Sequence, residues 1–304
     1  MGKKVYGGLL FEDIVNETKG FELQLRLFEK GFINGTQIRV AHPIFTPSIA
    51  EKDLPNIAKR LPRGFEVFIH FGAENVGVDF GEVLDEKEVF AKQNKGKSWL
   101  VWNGETSKFG IEVAKAFGVK KPYGVIHPGY TIPSGYLNIE RCVLPSLKTF
   151  GVNKEEVLFE NILPVVIKSQ YPSEDTKNWQ DFYFGIGGVP STMGFILREL
   201  RAKCLIDFTH IIVAQHQMSK GYLFLENRLI EGFLYLPHSD ICHFSGIPKG
   251  LIDEHTDLSE DPSLEVTEAL QVMETVCLEI PFHKMTLDQA KKAIDRFREG
   301  YKFY

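Results

Sequence analysis

Eight short apolar runs, set apart by longer segments of helical period, punctuate the whole chain. They cover residues 5–10, 37–42, 65–70, 124–127, 157–160, 204–207, 241–243 and 276–279. Helical patterning occupies 21–29, 49–60, 83–93, 111–117, 139–150, 191–201, 227–233, 264–274 and 287–297. A strand followed by a helix returns to its own sheet as a parallel neighbour, because parallel strands need a crossover too long for a tight turn. Eight such units, with no Pro/Ser-rich linker and no shift in composition, predict one α/β domain over 1–304, a (β/α)8 barrel. The last helix is the clearest, with Thr286 at its N-cap and Leu287, Ala290, Ile294 and Phe297 on one face. Two stretches fit less regularly: 98–102 (SWLVW) reads as an extra strand or part of a helix, and 165–184 as a long loop carrying a short edge strand.

Six of the eight runs stop at a side chain that binds metals or moves protons. They read VFIH to His70, GVIH to His127, VLFE to Glu160, CLID to Asp207, DICH to His243 and VCLE to Glu279. One polar residue closing one strand is ordinary. Six that are all His, Asp or Glu, with no Ser, Asn, Lys or Arg among them, form a constellation, and in a parallel barrel the C-terminal strand ends converge on one rim. Three more residues extend the set: His210, three positions after Asp207, and Asp253 and His255, two apart in DEHTDL. The donors are five imidazoles and four carboxylates, which suit zinc, manganese or iron better than a thiolate-selective site. His42, beside Pro43, competes with His70 for a place in it, and His283 reads as a supporting neighbour of Glu279.

Charge bears on what such a rim would bind. The chain has a formal net charge of −5, which argues against holding a polyanion by bulk electrostatics. Locally, Glu160, Asp207, Asp253 and Glu279 bring four negative charges together; two divalent ions neutralise them, and a third makes the pocket positive. Each bound ion also offsets two of the overall negative charges. Cys142, Cys204, Cys242 and Cys277 show neither CxxC pairing nor dense spacing, so the chain reads as reduced, and Cys242 and Cys277 as small apolar filling of the barrel. The absence of a signal-like N-terminus and of any long apolar run sets the expectation of a cytoplasmic protein with no membrane association, and of a monomer.

From the third strand onward the motifs resemble the xylose-isomerase-like barrels, and within them the endonuclease IV branch (AP endonuclease family 2). The resemblance rests on HPG at His127–Gly129, EN at Glu160–Asn161, DxxH at Asp207–His210, the His at the end of strand seven, DxH at Asp253–His255, and LE at Leu278–Glu279. It implies a TIM barrel with up to three zinc ions. His70, His127 and Glu160 correspond to one site, Glu160, Asp207, His243 and Glu279 to a second, and His210, Asp253 and His255 to a third. The implied activity is DNA repair by hydrolysis of the phosphodiester 5′ to an abasic site, with Glu160, Asp207 and Glu279 as the catalytic carboxylates and abasic DNA as partner. Tyr130 and Tyr136 are the loop aromatics available to an extruded nucleotide, ordinary loop packing being their other reading. Lys168, Lys249 and Arg39 read as solvated surface charge within reach of phosphates. Where the family carries Gly-Ala-His in strand one, this chain has Gly7-Gly8-Leu9-Leu10, and His243-Phe244-Ser245-Gly246 replaces His-x-Asn-Asp.

Two other readings share the same core residues. A sugar isomerase or epimerase would hold one divalent ion on Glu160, Asp207, His243 and Glu279 and act on a small sugar, with little need for His127, His210, Asp253 and His255 together. A metal-binding barrel without catalysis would show bound metal and no turnover.

Overall fold

The fold is taken from a computed structural model, which describes residues 2–41, 52–73, 76–77, 99–128, 130–131, 152–167, 182–185, 187–219, 228–246 and 264–304. Its strands are β1 (Lys4–Leu10), β2 (Gly35–Val40), β3 (Glu66–Ala73), β4 (Gly124–Ile126), β5 (Val157–Glu160), β6 (Cys204–Asp207), β7 (His238–Phe244) and β8 (Thr275–Leu278). Each pairs in parallel with its successor, and β8 pairs with β1, so the eight-stranded sheet closes on itself as predicted. Around it lie α1 (Phe11–Val15), α2 (Lys19–Glu29), α3 (Leu54–Ala58), α4 (Trp99–Ala116), α5 (Pro190–Leu200), α6 (Phe208–Ser219), α7 (Leu229–Leu234), α8 (Leu264–Val272) and α9 (Leu287–Gly300). In α9 the Thr286 hydroxyl accepts from the Gln289 backbone N–H while the Gln289 side chain accepts from the Thr286 N–H, a complete capping box. No helix among the described residues is long and apolar enough to cross a membrane.

One open stretch is resolved, and the expected elements are displaced in three places. Residues 99–102 belong to α4, not to a strand. Helix α6 has no counterpart in the helical patterning read above. Phe208 to Ala214 are all buried, so it carries no polar stripe against which an apolar one could stand out. The stretch 165–184 carries two strands, Val165–Ile167 and Phe182–Gly185, which pair antiparallel and are joined by Tyr130–Thr131 beyond the ends of β4 and β5. Strand β3 continues past His70 to Ala73 and folds back on Val76–Gly77, whereas β2 ends at Val40. The predicted helices 83–93 and 139–150, and His42, Tyr136, Lys168, Lys249, Asp253 and His255, lie outside the described residues.

Period-two alternation divides the sheet into two faces. Ile38, Val40, Ile69, Phe71, Ile126, Phe159, Ile206, Cys242, Phe244, Val276 and Leu278 pack outward into one apolar cluster with the helices. Inside the barrel a separate, smaller cluster joins Tyr6, Phe68, Val125, Leu158, Leu205 and Cys277, with Ile241 packed against it. Below that layer the Tyr6 hydroxyl donates to Glu66, and Lys4 Nζ donates to both Glu66 carboxylate oxygens at 2.7 and 2.8 Å.

Two glycines permit the strands to close at this end. A Cβ on Gly35 would stand 2.0 Å from the Glu66 carbonyl oxygen, and one on Gly124 would stand 2.5 Å from that of Ile69. Gly35→Ala should therefore destabilise the fold by about 1–3 kcal/mol, the usual cost of overpacking a close-packed interior. Urea unfolding followed by circular dichroism checks this; an unchanged midpoint would contradict it.

Candidate metal centre

Two residues beyond each member of the inner apolar layer, the same face of the next turn of the pleat comes to the barrel mouth. Phe68 leads to His70, Val125 to His127, Leu158 to Glu160, Leu205 to Asp207, Ile241 to His243 and Cys277 to Glu279. The six strand-end residues therefore share one layer, because the alternation that buries the apolar residues also turns these inward.

Glu160 sits at the centre of the layer, 1% exposed. Its Oε1 is 2.8 Å from His243 Nδ1, and its Oε2 is 3.2 Å from His70 Nε2 and 3.3 Å from His127 Nε2. The His70 and His243 rings stack with centroids 5.7 Å apart. Potential ligand atoms of three triads, His70/His127/Glu160, Glu160/Asp207/His243 and His70/His243/Glu279, each fall within 4.8 Å of one another. His70, Glu160 and His243 each belong to two of the triads. The first expected site is thus assembled as a unit, and the members of the second are divided between the other two triads.

Asp207 does two jobs at the end of β6. Its Oδ1 accepts from the backbone N–H groups of Thr209 and His210 at 2.7 and 3.2 Å, capping α6 as an N-cap carboxylate does. The side chain of Asn161 accepts from the Asp207 N–H at 2.6 Å and donates to the Asp207 carbonyl at 3.0 Å, clamping the backbone on both sides. His210, in the first turn of α6, reaches back so that its Nδ1 lies 2.7 Å from the Asn161 carbonyl and 3.6 Å from Asp207 Oδ2. Its expected partners Asp253 and His255 lie outside the described residues, so the third site is represented by His210 alone. Asn161 had a place in the EN motif but no role; its buried double hydrogen bond supplies one.

Burial alone would push the Glu160 carboxyl up, but the His243 imidazolium beside it and hydrogen bonds from three imidazoles hold it well below the usual carboxylate range. Burial alone would likewise push His243 down, whereas Glu160 and Glu279 carry it well above the usual imidazole range. For His70 burial prevails over the pull of Glu160, and its pKa falls. The upward shift of His243, caused by Glu160 and Glu279, marks where the site favours positive charge. A divalent ion fits that need: the donors are nitrogen and oxygen, and His70 Nε2, His127 Nε2 and His243 Nδ1 face the two oxygens of buried Glu160 at 3.2, 3.3 and 2.8 Å.

Arg39 departs from its expected role as solvated surface charge. Paired in register with His70, it lies on the inner face of β2, its side chain only 20% exposed, and its Nη2 donates to Glu279 Oε1 at 2.7 Å. Gln37 Nε2 donates to the same oxygen at 2.8 Å. The mouth thus contains a resident cation, which changes the charge balance. Among the described residues three carboxylates face one guanidinium, and with neutral imidazoles a single divalent ion reaches neutrality while a second already makes the pocket positive. The sequence signal for Arg39 was its phase, since Ile38 and Val40 are the apolar residues of β2 and face outward.

The remaining histidines and the cysteines among the described residues lie outside the ligand layer. His283 is exposed and lies beside the mouth, His238 begins β7 with Nδ1 2.8 Å from the Leu236 carbonyl, and His216 is half-buried near the end of α6. Cys204, Cys242 and Cys277 are buried free thiols; Cys277 fills the inner layer as expected and Cys242 the outer core.

Fold and site together define a single-domain TIM barrel whose mouth carries histidine–carboxylate clusters able to hold metal ions. Its architecture is that of endonuclease IV and the xylose-isomerase-like barrels. Endonuclease IV from Thermus thermophilus superposes with a TM-score of 0.58 at 14% identity, covering 98% of this chain and 99% of that one. A candidate xylose isomerase from Rhodospirillum rubrum gives a TM-score of 0.58 at 13% identity over 99% and 98% of the two chains. A D-psicose 3-epimerase crystallised with D-fructose gives 0.51 at 10% identity over 97% and 99%. No family model and no curated protein sequence matches the chain.

Two substitutions test this geometry. Asn161→Ala removes the side-chain acceptor of the buried Asp207 N–H and one donor to its carbonyl, at a cost of about 1–3 kcal/mol, and should lower both the melting temperature and the retained metal. Arg39→Gln removes a cation that competes for Glu279, so zinc affinity measured by competition with a chromophoric chelator should rise severalfold. An unchanged or weaker affinity would show that Arg39 does not oppose the ion.

Proposed function

We propose that the protein is a metal-dependent phosphodiester hydrolase of the endonuclease IV kind, cleaving DNA 5′ to abasic sites. The observation that carries this reading is that His127 lies 3.3 Å from one Glu160 oxygen and His243 2.8 Å from the other, and that these two imidazoles belong to different triads that share Glu160, so that one carboxylate could serve two cations. His70, His127 and Glu160 would hold one zinc ion and Glu160, Asp207, His243 and Glu279 a second, with His210, Asp253 and His255 for a third. When bound, the ions supply a nucleophile effective at neutral pH and offset charge at phosphorus. The chain's own residues position and insulate that chemistry. Buried Glu160, Asp207 and His243 keep water from the floor of the site, Asn161 fixes Asp207, and Arg39 adds a cation at the edge an anionic substrate would approach.

A second reading, a sugar isomerase or epimerase with one divalent ion, draws on the same Arg39, because the guanidinium on Glu279 lets a single ion bring the described site to neutrality. One pair of measurements separates the two: metal content of the purified protein, and nicking of a duplex oligonucleotide carrying one abasic analogue. The hydrolase reading expects two or more ions per chain and nicking that falls at least about a thousandfold in Glu160→Gln, equivalent to roughly 4 kcal/mol of barrier. One ion, no nicking and interconversion of ketoses would contradict it in favour of the isomerase.

A further inference from the structure

Beside the metal centre, between the C-terminal ends of β1, β2 and β8, lies a cavity of about 300 Å3, at the small end of the range for small-molecule sites. Its origin is a missing side chain. At the mouth layer the other strands present Arg39, His70, His127, Glu160, Asp207, His243 and Glu279, whereas β1, two residues beyond Tyr6, presents Gly8. The fold does not require glycine there. A Cβ on Gly8 would come no nearer than 3.8 Å to any neighbour, the Leu278 carbonyl oxygen, while one on Gly7, Gly35 or Gly124 would meet atoms at 2.1, 2.0 and 2.5 Å. Gly35 and Gly124 are glycine because strand backbones close on them and Gly7 because the Gln24 side chain of α2 packs against it; Gly8 is glycine where the mouth opens.

The charged groups of the cavity wall are two acids and two cations. Its two acids are already engaged: Asp13 accepts from the Leu10 N–H and the Thr18 hydroxyl, and Glu279 from Gln37 and Arg39. Its cations are Arg39, whose side chain spans the cavity and the metal centre, and Lys284, which makes no ion pair among the described residues. A guanidinium held in place by a carboxylate is preorganised for phosphate recognition, and the Lys284 ammonium on the same cavity supplies a point charge.

We propose that this cavity is a phosphate-binding subsite, taking the phosphate of a substrate whose reacting portion lies over Glu160, with Arg39 and Lys284 as its cationic donors and Gly8 as the residue that keeps it open. The proposal rests on the hydrolase reading only for the expectation of an anionic substrate. The test uses inorganic phosphate and the metal-containing protein, with calorimetric titration and metal analysis for each variant. Wild type should bind phosphate saturably, and Gly8→Leu and Arg39→Gln should each weaken binding by about tenfold or more without lowering metal content. Lys284→Gln should weaken it by a smaller factor. If Gly8→Leu does not fold, Gly8→Ala, whose added methyl meets nothing closer than van der Waals contact, should still reduce affinity while preserving the melting temperature. Equal phosphate affinity in wild type, Gly8→Ala and Arg39→Gln would place phosphate on the metal ions alone and overturn the proposal, as would no saturable binding in wild type. Loss of nicking activity is a separate outcome, since phosphate binding is read without turnover.

Discussion

A carboxylate buried in the middle of a barrel must be protonated, paired or bound to a cation, because an isolated charge in that environment costs far more than a domain's net stability. Glu160 is in that position. The protein answers with the imidazoles of His70, His127 and His243, the last held above the usual imidazole range by Glu160 and Glu279, so the carboxylate is compensated before any metal enters. Bound divalent ions would take over the compensation that His243 provides. The nearby polar side chains fix the groups that take part in that exchange: Asn161 holds Asp207, and Arg39 and Gln37 hold Glu279.

The same constraint explains the layering. Strands that alternate strictly between an outward apolar core and an inward one can change chemistry along the barrel axis only in steps of two residues. The inner face passes from the Glu66, Lys4 and Tyr6 cluster through an apolar layer to the ligand layer. Cys277 between Val276 and Leu278, or Phe68 between Val67 and Ile69, are therefore part of the site's support, since they separate two polar clusters that would otherwise share water. Gly8 interrupts the ligand layer at β1 and turns a packed rim into a rim with an opening.

Much of this was legible in the sequence because the relevant signal has a short period. His70, His127, Glu160, Asp207, His243 and Glu279 each follow an apolar run, and parallel strands point such residues at one another whatever the helices do. Arg39 is hard to place from the sequence because the second apolar run extends to His42, and the inward phase of Gln37 and Arg39 is plain only once β2 ends at Val40. Helix α6 is hard to see for the opposite reason, being buried on nearly every side, with polar Thr209, His210 and Gln217 among its buried residues. Asn161 acts through the backbone of a residue 46 positions away, a contact that no local pattern encodes. The cavity beside Gly8 could not be read at all from residue type, since a glycine required by close packing and a glycine that leaves space look alike until neighbours are placed.

At the centre of the proposed chemistry, Glu160 joins two cation sites. Electron paramagnetic resonance of the protein loaded with Mn(II) tests this most directly. The expected result is a spin-coupled multiline spectrum at full loading that collapses to that of isolated ions in Glu160→Gln. A six-line spectrum of isolated Mn(II) at every loading of the wild-type protein would contradict it.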